Sequence, residues 1–188
     1  MLSIYGDDNI TKIYLVKQPV GNMVKIFFNL ATFYKYTQFI DEAMPCHTLF
    51  IVEIKKNNIK KLLMIEKNNS INISDNFYVS NCQDIKDIHI KKKYTLNSIL
   101  TYTKDRIGIK QFFNWSLYAN NCQEFTKECL VTINKYNKTT HNFMFNDNIS
   151  KIIQPTEFSL NVVISLFNVY NIFEKYVYDN LLSLCSPI

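Results

Sequence analysis

Five cysteines (46, 82, 122, 129, 185) and three histidines (47, 89, 141) are the residues of this chain best suited to covalent chemistry. Cys122 stands in YANNCQEFTKECL, residues 118 to 130, one step into what reads as a helix and directly behind Asn120 and Asn121. Either asparagine can cap that helix, and the N–H groups of a first turn carry partial positive charge that favours an anion. A thiol placed there is a nucleophile if an imidazole can take its proton; otherwise it is a small apolar residue at the edge of a core. His89 (in DIHIKKK) and His141 (in TTHNF) have polar, loop-like surroundings that predict exposure. His47, in PCHTLFIVEI, opens an apolar strand, so a sheet would set the direction of its ring.

Hairpin register supplies the third member. The run HTLFIVEIKKNNIKKLLMIEKNNSINI, residues 47 to 73, holds two apolar stretches around KKNN and predicts an antiparallel hairpin with a further short strand at 71 to 73. If Asn57-Asn58 form a two-residue turn, Lys56 faces Ile59 and paired numbers sum to 115. Asn68 then lies opposite His47, with Glu66 on the diagonal at roughly 7 to 8 Å, within reach of a long side chain. Any odd sum keeps His47 and Glu66 on one face; an even sum parts them. A carboxylate there would hold the tautomer of the imidazole and stabilise its charged form. The alternative is that Glu66 faces water as the strand leaves the core.

The other cysteines have simpler readings. Cys129 lies two turns along the same helix side as Cys122 and is expected in the core, and Cys46 should point to the sheet face opposite His47. Cys82 and Cys185 lack partners. With an odd number of cysteines and no C-x-x-C pair, neither a disulfide scaffold nor a structural zinc site is expected, and no metal or cofactor is assigned.

These side chains need elements to carry them. TKIYLVK, residues 11 to 17, predicts a strand ending at the Pro19 to Gly21 break, and the spacing of Met23, Ile26, Phe27, Leu30, Phe33 and Tyr34 predicts a helix over 21 to 39. Thr95 is a candidate cap for TLNSILTYTKDRI, with Gly108 at its C-terminal end, and IKQFFNWSLY leads into a second helix at about Asn120 with Cys122, Phe125, Cys129 and Ile133 along one side. Residues 160 to 184 are strongly apolar, but Asn161, Ser165, Asn168, Lys175 and Asp179 interrupt them, which predicts a terminal helix on the core rather than a transmembrane span; a membrane-surface helix is its rival.

At 188 residues, 47% apolar and 20% charged, the chain suits one domain over 1–188, with a core at about 11–135 and a helical extension at 150–188. The N-terminal stretch carries acids where a signal peptide carries bases, so a cytoplasmic location is expected. The net charge of +5 includes Lys55, Lys56, Lys60, Lys61 and Lys91 to Lys93. It allows attraction to a host protein or an anionic membrane surface, but no nucleic-acid recognition motif accompanies it, and no nucleic-acid partner is expected.

Three short motifs, His47-Thr-Leu-Phe, Ile65-Glu66-Lys67-Asn68 and Asn121-Cys122-Gln123-Glu124-Phe125, resemble in this order the circularly permuted NlpC/P60 (papain-like) superfamily, in which His precedes Cys. IEKN and NNCQEF are most similar to the poxvirus G6-like and other large-DNA-virus members, which also fits the Asn-, Ile- and Lys-rich composition. The resemblance spans about residues 11 to 135. It implies an α+β fold, a small antiparallel sheet packed against a Cys-bearing helix with extra N- and C-terminal helices. It further implies Cys122 as nucleophile, His47 as general base and Glu66 orienting the ring, acting without metal on an amide, thioester or ester of a protein or lipid. Virion association is compatible with that reading. The Cys122 N–H would serve an oxyanion hole, with Asn121, Gln123 and Asn68 as supporting candidates and Trp115, Tyr118 and Tyr78 as groove candidates. Glu66 stands where the acyltransferase branch tends to use a second histidine, which counts against retinoid or phospholipid acyl transfer. The rival class is a catalytically silent binding module on the same fold.

Overall fold

The computed structural model describes residues 1–19, 46–77, 84–115 and 120–145. Its organising unit is a hairpin of β2 (Cys46–Lys56) and β3 (Ile59–Lys67). Asn57 and Asn58 join them with φ of 50° and 64°. A two-residue turn with both central residues left-handed matches the twist of its strands, and asparagine tolerates that region better than most residues. The ladder runs from Lys56↔Ile59 to Phe50↔Ile65, which is the register expected from the sequence.

Three more strands complete the sheet: β1 (Asn9–Pro19) beside β2, β4 (Ile71–Ser74) beside β3, and β5 (Asp84–Ile88) beside β1. The order is β4-β3-β2-β1-β5, antiparallel throughout. A register irregularity between Ile10 and Lys12 adds one residue to β1. Because strand side chains alternate, that extra residue lets both Ile10 and Ile13 turn into the core. The sequence reading assigned no strand at β5, noting only loop-like surroundings for His89 just beyond it. Asp84, Lys86 and Asp87 of β5 suit an edge, and the strand is held by pairing with β1 rather than by an apolar face.

One sheet face carries Phe50, Val52, Ile54, Leu63, Ile65, Ile13, Leu15 and Ile88 against helices. Those helices are α1 (Leu2–Tyr5), α2 (Leu96–Ile107), α3 (Ile109–Phe113), α4 (Cys122–Thr132) and α5 (Lys138–Met144). The start of α2 is set by Thr95, whose side chain accepts the Ser98 N–H while the Ser98 hydroxyl accepts the Thr95 N–H. Gly108, at φ 85°, ends it. α4 lies against β2, β3 and α2 and buries Phe125, Cys129 and Leu130, with Ile133 following. Leu130 is 0% exposed, a burial that stabilises by about 2 kcal/mol. The opposite sheet face buries Val16, Leu49 and Ile51.

The fold is thus α+β with a five-stranded antiparallel sheet. The short helices α1, α3 and α5 were not resolved by periodicity, since four to seven residues give too few repeats of a face. The helix expected at 21 to 39, the terminal helix at 160 to 184, Cys82, Cys185, Tyr78 and Tyr118 lie outside the described residues. Among those described, no helix is long and apolar enough to cross a membrane.

Candidate active site

Asn121 is extended (φ −89°, ψ −170°) and its side chain accepts the Glu124 N–H at 3.0 Å, so the helix begins at Cys122. The thiol therefore sits among first-turn N–H groups that have no partner within the helix. Cys122 is half-buried and lies close enough to the His47 ring and to the backbone of Thr48 and Gln123 for each to act on its sulfur.

Strand β2 supplies His47 from its first turn of pairing with β1, at Gln18↔His47, beyond the point where β3 has left the ladder at Phe50↔Ile65. Strand β3 nevertheless continues along β4 to Lys67, and its Glu66 Oε2 lies 2.8 Å from His47 Nε2. Each of these two side chains is 18% exposed, shielded enough for the charges to matter and open enough for a substrate to approach. Because Glu66 engages Nε2, Nδ1 is the ring nitrogen left for the thiol.

Charge follows geometry. Burial would lower the His47 pKa, but the hydrogen bonds to Cys122 and Glu66 and their negative charge carry it well above the usual imidazole range. Burial would raise the Cys122 thiol, but the hydrogen bond and charge of His47, with the N–H groups of Thr48 and Gln123, bring it below its ordinary value. Both directions favour a thiolate–imidazolium pair. Cys129 shows the contrast: 2% exposed in the core, it is pushed up to about 12 by burial.

Other expected site residues take different places. Asn68 does not pair with His47, because β3 turns into β4 there; its N–H donates to the Ser70 carbonyl and its side chain is exposed. The Gln123 side chain donates to the Met144 carbonyl at 2.8 Å and to Cys46 Sγ at 3.3 Å, which ties the end of α5 to the start of α4 and removes that amide as an oxyanion donor. Asn121 uses its side-chain oxygen as a cap. Cys46, 6% exposed, donates to the Met144 carbonyl at 3.4 Å on the helical side, away from the His47 row. Trp115 is half-buried, His89 is exposed, and His141 is half-buried, bonded to Tyr136 Oη at 2.7 Å and stacked on Phe145.

Four buried polar residues support the site, of which sequence reasoning had singled out only Asn120, as a possible cap. Thr48 Oγ1 donates to Thr126 Oγ1 at 3.2 Å, joining β2 to α4 one helical turn past Cys122. Lys67 and Asn120, 1% and 8% exposed, bond to each other at 3.0 Å just ahead of the helix. The alternation of β3 was a signal for Lys67, which shares its row with Leu63 and Ile65. Among the described residues, no group of three His, Cys, Asp or Glu side chains is placed to hold a metal ion. Compared with protein-family models, with curated proteins and with solved structures, the chain matches none.

Proposed function

We propose that the chain is a cysteine hydrolase or acyltransferase acting on an amide, thioester or ester through Cys122, His47 and Glu66, on a scaffold of the permuted NlpC/P60 type with its viral branch as the nearest resemblance. The observation that carries this reading is the junction of three elements: a thiol on the first residue of α4, beside an imidazole of β2 that a carboxylate of β3 holds at 2.8 Å.

The chemistry follows from those positions. The Cys122 proton moves to His47 Nδ1, and the thiolate adds to the substrate carbonyl carbon, whose oxygen gains the electron pair. The Cys122 N–H is suited to receive that oxyanion. On collapse the C–N, C–S or C–O bond breaks, the imidazolium gives its proton to the leaving group, and an acyl thioester remains on Cys122. Water, or an acceptor alcohol or amine, then attacks the thioester and loses its proton to His47, and the thiol is released. Glu66 keeps the ring oriented throughout.

Alkylation kinetics test the proposal. Iodoacetamide at pH 7 should modify Cys122 about tenfold or more faster than an ordinary thiol, and His47→Ala should remove that advantage. If Cys122 reacts at the ordinary rate, and independently of His47, the enzyme reading fails. Acyl-ester probes set against ubiquitin-like C-terminal electrophiles, with Cys122→Ala as control, then separate lipid from protein substrates.

A further inference from the structure

Lys67 is one of the largest fully buried side chains among the described residues, at 1% exposure. Among the described residues no carboxylate forms an ion pair with it. Its ammonium instead donates to the Gln111 carbonyl at 3.1 Å and to Asn120 Oδ1 at 3.0 Å, and lies 5.9 Å from the centre of the Phe125 ring. Burial brings its pKa down to about 8. An apolar residue such as Met would fill the same space without the cost of stripping water from a buried ion. A cation in that place is best explained by what it holds.

What it holds is the approach to α4. The Asn120 amide donates to the carbonyls of both Gln111 and Asn114, so Lys67, Asn120 and the α3 segment close on one another through four hydrogen bonds. Asn120 precedes the cap Asn121, which precedes Cys122. Adjacent strand residues point to opposite faces. In β3 this sends Glu66 to His47 and Lys67 under the segment that leads to the thiol.

We propose that Lys67 is a positioning residue for the thiol site: acting through Asn120, it sets the start of α4, and therefore Cys122, against the same strand whose Glu66 holds His47. The dipeptide Glu66-Lys67 thus aligns both halves of the site. This inference rests on the reading of Cys122 as a nucleophile.

The pH profile of Cys122 alkylation in full-length protein tests it, with wild type, Lys67→Met and His47→Ala in parallel. Lys67→Met should keep its circular dichroism spectrum and melting temperature, since the cavity is filled by an apolar side chain of similar length. It should nevertheless lose about ten- to a hundredfold in alkylation rate at pH 7, with its profile displaced toward the ordinary thiol. A folded Lys67→Met with the wild-type rate and profile overturns the inference while leaving the nucleophile reading intact. A wild-type Cys122 that reacts like an ordinary thiol overturns both. If Lys67→Met does not fold, Asn120→Ala decides by the same criteria, because it cuts the link to α4 and leaves Lys67 bonded to Gln111.

Discussion

Cys122 and His47 shift one another in opposite directions, and the consequence for pH can be worked through. With a raised His47, its favourable contribution to stability is complete below 6.5 and lost as pH rises through the folded value; with a lowered Cys122, its contribution is complete above 9.0 and lost as pH falls through the folded value. Between 6.5 and 9.0 the raised ring binds more proton than in the unfolded chain and the lowered thiol binds less, so the two slopes oppose one another. Reactivity does differ from that of an ordinary thiol, since the lowered pKa gives folded Cys122 the larger thiolate fraction at neutral pH. Glu66→Gln keeps a hydrogen-bonding group beside the ring but removes the charge that raises it. An NMR titration of His47 should therefore show its midpoint lower by about one unit or more in that variant. An unchanged midpoint would remove Glu66 from its orienting role.

Elements place these residues, and the β2–β3 turn has the greatest leverage. Asn58 sits at φ 64°, a region that penalises most side chains and β-branched ones especially. Asn58→Val should lower the urea-derived stability by about 1 to 2 kcal/mol, whereas Asn58→Gly should leave it the same or raise it slightly. The turn also protects the site: an odd register sum faces Glu66 toward His47, and a one-residue slip would send it to the other side of the sheet. At the other end, the Thr95 cap of α2 satisfies its first-turn donors by a reciprocal pair of bonds. Thr95→Ala should cost about 1 kcal/mol in the same measurement while leaving Cys122 alkylation unchanged.

At the scale of the whole molecule, α4 lies across β2 and β3 so that one end of it meets the end of the hairpin and the other is sunk in the core. Leu130 anchors that second end, and Leu130→Ala should destabilise by about 2 to 5 kcal/mol with an unchanged denaturant slope. Local pattern was enough to read the hairpin, its register, the α2 boundaries, the start of α4 and the pairing of Glu66 with His47, because turn residues, caps and alternation act over a few positions. Strand β5 escaped that reading because an edge strand is held by its neighbour's backbone and needs no apolar face of its own. The surroundings of Gln123 and Asn68 were hidden for a related reason: their neighbours along the chain do not reveal that α5 arrives to take the amide of one, or that β3 turns away at the other. Lys67 is the clearest case, since alternation pointed it inward while its charge argued outward, and only packing supplied the carbonyls of Gln111 and Asn120 that make an interior ammonium tolerable. Sequence alone therefore determined which residues could form the thiol site and which face of the hairpin they share. Tertiary structure decided the approach of Cys122 to His47 and the support beneath it, because the meeting of distant elements depends on where α4 and the sheet come to rest.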